Sequence, residues 1–133
     1  MKTRERAAQG LVVIGSLILV AAAALHDVTG YPGLVRALSA ANLRPFLEGS
    51  FKAFWLLMSW HWIAIGVIAL VVSYGGARSR KLVLLLCGLL PLVDGIGTSI
   101  AVGWFFGNEM LSLAGLVIVA AAALFESVRN TQA

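Results

Sequence analysis

Charge is scarce in this 133-residue chain. Lys, Arg, Asp and Glu make up 12% of it, ten basic residues against six acidic. A soluble domain carries about 25% charged residues, so this composition does not furnish a water-facing shell. Cysteine is scarcer still. Cys87 stands alone, which excludes an intrachain disulfide and a thiol relay within one chain. Inside an apolar run it reads as a small hydrophobe. Of three prolines, only Pro91 falls inside such a run. No H-x-x-x-H or E-x-x-H spacing occurs, so nothing points to a metal, and no cofactor is indicated. The basic residues flank apolar runs instead of forming a stripe, so the net charge of +4 is not a sign of nucleic acid as a partner.

Apolar residues are what the chain does have: 60% of it, with a mean hydropathy of +0.94. They gather in four runs, about 10–25, 51–73, 82–104 and 110–125. Crossing a hydrocarbon core of ~30 Å takes about 20 such residues, and lipid offers the backbone no partners, so each span must be helical. The expected fold is all-α: a polytopic membrane protein, residues 1–133 forming a single four-transmembrane-helix bundle. Lys2, Arg4 and Arg6 before Ala22-Ala23-Ala24 imitate a signal peptide; we read the segment as a retained helix. V-A-A-A-A-L occurs at both Val20–Leu25 and Val119–Leu124, and we read it as low complexity, not duplication.

Orientation follows from the basic residues in the short loops. With the N-terminus inside, Lys2, Arg4, Arg6, Arg78, Arg80, Lys81 and Arg129 are cytoplasmic, and Arg36, Arg44 and Lys52 are outside. The chain is therefore expected in a bacterial inner (plasma) membrane with both termini cytoplasmic. Between spans one and two, Thr29-Gly30-Tyr31-Pro32-Gly33 is a cluster of helix breakers. Leu34, Val35, Leu38 and Ala41 then recur at helical spacing, which predicts a short amphipathic helix on the outer leaflet. Pro45 suits the first turn of the next helix, where Glu48 and Lys52 are spaced to pair. Tyr74 to Lys81 makes a short turn, and Gly107-Asn108 makes another within Phe105–Glu109.

Two ionisable residues, His61 and Asp94, lie deep inside the spans, and every other charged residue lies at or beyond their ends. Such residues face a bundle interior, a partner or a cavity, because hydrocarbon penalises them. At a rise of ~1.5 Å per residue, His61 lies about 12 Å and Asp94 about 15 Å below the outer surface. On consecutive antiparallel helices, that places them in reach of each other. Cys87, Pro91, Asp94, Thr98 and Ala101 form one small or polar face, and Gly95, Ser99 and Gly103 a small-residue series suited to close packing. We therefore expect the third span to be the central packing element. On the second span, Trp55, Ser59, Trp62 and Gly66 share a face, with His61 on another. His26, Asp27, Glu48, Lys52, Asn108 and Glu109 gather at the outer ends, whereas the inner halves are aliphatic.

These residues predict an outward-facing aromatic and polar pocket for a lipophilic ligand, with Trp55, Ser59, His61, Trp62, Asp94, Thr98, Trp104 and Glu109 as its lining. Besides the lipid bilayer, the expected partners are a lipophilic small molecule and further subunits, in a homo-oligomer or a larger membrane complex where this chain is an accessory subunit. Two other function classes compete. One is a small membrane enzyme acting on a lipid or quinone-like substrate, with His61 as acid or base oriented by Asp94. The other is a proton-coupled small transporter. No nucleophile motif supports catalysis, and a polar clasp between helices accounts for the same pair.

Overall fold

The computed structural model describes residues 2–75 and 79–125. Arg78 and Arg129, both used in the orientation count, lie outside the described residues. The elements are α1 (Lys2–Leu25), a π turn (His26–Gly30), α2 (Tyr31–Ala40), α3 (Pro45–Tyr74), α4 (Arg80–Val102) and α5 (Phe106–Leu124). All are helical. Among the described residues, four helices are long and apolar enough to cross a membrane, the first being the 38-residue run Thr3–Ala40. Large apolar side chains such as Leu17, Val71, Val93 and Ile100 cover the outside of the bundle.

The breaker cluster does not break the helix. α1 passes through the π turn directly into α2, so the residues expected to start a separate helix prolong the first. Pro32 lacks an N–H and its ring would collide with the carbonyl four residues back. A turn widened by one residue relieves both. Thr29 Oγ1 donates to Leu25 O at 2.6 Å, occupying a carbonyl at the wide turn. α2 stops where Asn42 adopts a φ of +49°, a left-handed conformation that asparagine tolerates. Arg44 is then extended, as a residue before proline prefers, and Pro45 opens α3 as the sequence suggested. Lys52 pairs with Glu48 on that first stretch.

The α4–α5 link also shifts. The sequence carried the third span to 104 and began the fourth at 110; α4 instead ends at Val102 and α5 begins at Phe106. Gly103, at φ +93°, turns the chain in a conformation open mainly to glycine. Asn108 Nδ2 donates back to Gly103 O at 3.0 Å, so Gly107-Asn108 belongs to the first turn of α5 and not to the loop.

α1 packs on both α3 and α5, α5 packs on α4, and the α3–α4 seam is the thinner one. Gly88 and Gly95 of α4 pack against α5, while Asp94 on the neighbouring small or polar face meets α3. A β-carbon on Gly115 would lie 2.6 Å from Gly88 O, and one on Gly95 would lie 2.7 Å from Asn108 O. Such approach of backbones is what small residues permit in apolar bundles. Hence α1 and α5, not α4, occupy the centre. Ser16 Oγ donates to Gly66 O at 3.0 Å, joining α1 to α3. Arg80 closes the N-terminal end of the bundle: it bonds Glu5 at 2.7 Å, bonds Gly75 O, and lies over the Phe125 ring.

Candidate ligand site

At the opposite end, where the π turn meets α3 and the α4–α5 link, the helices leave a cavity of about 680 Å³. Ligand pockets typically enclose ~300–1,000 Å³. Its wall combines Trp55 and Trp62 of α3, Phe105 of the link, Phe106 at the start of α5, and the polar residues His26 and Asn108. Thr29, Thr98 and Leu111 also line it.

The π turn positions His26. Its imidazole stacks on Trp55 with centroids 4.0 Å apart and planes 11° from parallel, and it meets Trp62 edge-on at 4.9 Å. Trp55 in turn rests on Gly30, where a β-carbon would come within 2.5 Å of its Cζ2. His26 Nδ1 lies 2.9 Å from Ser59 Oγ, and Ser59 Oγ donates to Asp27 Oδ1 at 2.7 Å. An aromatic wall and a polar chain are thus built from the same two turns, one from each of two helices. Trp55, Ser59 and Trp62 share a face of α3 as expected. That face meets the π turn, and its continuation at Gly66 meets Ser16.

The second polar group spans the α3–α4 seam. His61 Nε2 lies 3.7 Å from Asp94 Oδ2, with the two side chains 41% and 25% exposed. The same Asp94 oxygen accepts from Trp62 Nε1 at 3.1 Å, and Thr98 Oγ1 donates to the Asp94 backbone carbonyl at 2.6 Å. The structure therefore brings His61 and Asp94 together, as their depths suggested. Neither is among the residues lining the cavity; they stand behind it, joined to its wall through Trp62 and Thr98.

Of the expected lining, Trp55, Trp62 and Thr98 border the cavity. Ser59 is one hydrogen bond removed, through His26. Trp104 is 74% exposed on the link, and Glu109 is exposed one turn into α5; neither borders the cavity. The central residue that the sequence understated is His26, together with Asp27. Both were assigned to the mouth because the apolar run of the first span ends at Leu25, just before them. The signal was present: Leu19, Ala22, Ala23 and His26 recur at three- and four-residue spacing, which continues the buried face of α1 into the turn. Among family models, curated proteins and solved structures, comparison finds no match to this chain.

Proposed function

We propose that this protein is an integral membrane protein that binds a lipophilic, ring-bearing ligand in the cavity beside His26. The observation that carries this reading is the cavity's composition. Two indoles and two phenyl rings offer apolar faces, while a few polar groups held by hydrogen bonds fix orientation, the balance that small-molecule sites use. The basic residues favour both termini on the cytoplasmic side of a bacterial inner membrane, so the cavity opens near the outer surface. α1, the π turn and α2 together measure about 57 Å at 1.5 Å per residue, well beyond a ~30 Å core. α2, with Arg36 exposed, projects past the bilayer or leans on its outer leaflet as an amphipathic element. The ligand-loaded protein acts alone, as a homo-oligomer or as an accessory subunit of a larger membrane complex.

Native mass spectrometry of the protein extracted from its own membrane tests this. A co-purifying mass of a few hundred daltons is expected, reduced at least severalfold in Trp55→Ala. Protein that emerges bare from a gentle extraction, in native and variant form alike, contradicts the proposal.

The His61–Asp94 approach favours a second reading, proton handling by a small enzyme or a transporter. It ranks lower because Asp94 Oδ2 already accepts from Trp62, which suits a clasp across the α3–α4 seam.

A further inference from the structure

The hydrogen bonds around the cavity specify which kind of polar group a ligand must bring. As a carboxylate, Asp27 can only accept, so the single hydroxyl proton of Ser59 is directed to it. Ser59 Oγ is then left to accept from His26, and Nδ1 must be the protonated ring nitrogen. The second neighbour of Nδ1 agrees: Asp27 Oδ1 lies 3.5 Å away, and a lone pair facing that oxygen would be repelled where an N–H is attracted. A neutral imidazole protonated at Nδ1 carries a lone pair on Nε2. Nε2 takes no hydrogen bond among the described residues, while His26 lines the cavity.

Most side-chain donors in the wall are committed elsewhere, although one N–H of the Asn108 amide is left over. Trp62 Nε1 donates to Asp94, Thr98 Oγ1 to the Asp94 carbonyl, Thr29 Oγ1 to the Leu25 carbonyl and Asn108 Nδ2 to the Gly103 carbonyl. Trp55 Nε1 is shut away from solvent-sized access. The cavity thus offers acceptors and few donors.

We infer that the ligand is a lipophilic hydroxyl compound, such as a phenol, a hydroquinone or an alcohol, whose O–H donates to His26 Nε2. This rests on the cavity being a ligand site, as proposed above, and adds the polarity of recognition. The relay Asp27–Ser59–His26 orients the imidazole and fixes its tautomer; the stack on Trp55 holds its plane. A ligand of the same shape that presents only an acceptor, such as an ether or a quinone carbonyl, would meet the Nε2 lone pair with its own, and a buried acceptor left unsatisfied is costly.

The test compares 4-nonylphenol with its methyl ether, 4-nonylanisole, by titrating the purified full chain in one detergent and counting bound probe by native mass spectrometry. Partition into micelles is the same for every protein variant, so the informative quantity is the phenol-to-ether preference of the native protein relative to that of His26→Phe, which keeps a stacking ring without the nitrogen. A roughly tenfold higher preference in the native protein is expected, the size of one such hydrogen bond in a dry site. Ser59→Ala, which keeps the imidazole and releases its tautomer, should fall between the two and covers the case in which His26→Phe fails to fold. Binding of both probes with a native phenol-to-ether preference no higher than that of His26→Phe overturns the donor rule and leaves the cavity reading standing. An unchanged preference in both variants overturns the role of His26. Binding of neither probe to the native protein overturns both readings.

Discussion

Asp94 illustrates how one side chain serves two neighbours of unequal weight. Its Oδ2 lies 3.1 Å from Trp62 Nε1 and 3.7 Å from His61 Nε2. Removing it leaves a mostly buried indole N–H without its acceptor, a loss of ~1–3 kcal/mol. Removing His61 forfeits only a contact of 3.7 Å, too long for a hydrogen bond, and leaves Asp94 its bond from Trp62. Asp94→Ala should therefore lower unfolding stability in detergent clearly more than His61→Ala. If the two variants prove equally stable, or His61→Ala the weaker, the clasp account fails and proton handling by the pair gains ground. Both residues were conspicuous in the sequence because ionisable groups are rare in apolar runs. His26 was not, because it stands one residue beyond the run, and its importance comes from what α3 places against it.

At the scale of elements, the π turn is the feature that makes the site. An uninterrupted α-helix or a loop after Leu25 would each present His26 and Asp27 differently; the wide turn sets both against Ser59 while Gly30 receives the Trp55 ring. π turns recur at functional sites for this reason, since one inserted residue re-aims the side chains around it. The prediction at this scale is Gly30→Ala. Its β-carbon would intrude on the Trp55 ring and push the indole off His26. The fold should survive, as judged by helical circular dichroism, while any co-purifying ligand falls severalfold; retention of the ligand at native level would show that the Trp55 seat is dispensable. The sequence marked residues 29–33 as unusual through Gly30, Pro32 and Gly33. It did not say whether the chain breaks there or merely widens, because breaker residues report that an ordinary helical turn is disfavoured and not what replaces it. The α4–α5 link shows the same ambiguity. The sequence placed the turn at Gly107-Asn108 and kept Gly103 in the third span; the chain turns at Gly103 instead, and Asn108 bonds back to its carbonyl.

For the whole molecule, the two ends of the bundle are built differently. One is fastened by Arg80, Glu5 and Phe125; the other holds the aromatic cavity. The proposed orientation puts the cavity end outside. In a Cys87→Ser background, Glu109→Cys in intact cells should react with a membrane-impermeant maleimide, whereas Thr3→Cys should react only after the cells are opened; the reverse pattern would invert the orientation. The sequence by itself determined the class, the number of long apolar helices, the opening of α3 at Pro45 and the proximity of His61 to Asp94. Those follow from composition, segment length and helical rise, which are local or one-dimensional quantities. Tertiary structure decided that α1 and α5 form the centre, that His26 is joined to Ser59 and Asp27, and that the cavity lies on the His26 side of Trp62. The first depends on which glycine lets which backbone approach, since a small residue in a helix permits contact without naming the partner; the others depend on the π turn, which breaker residues flag without specifying.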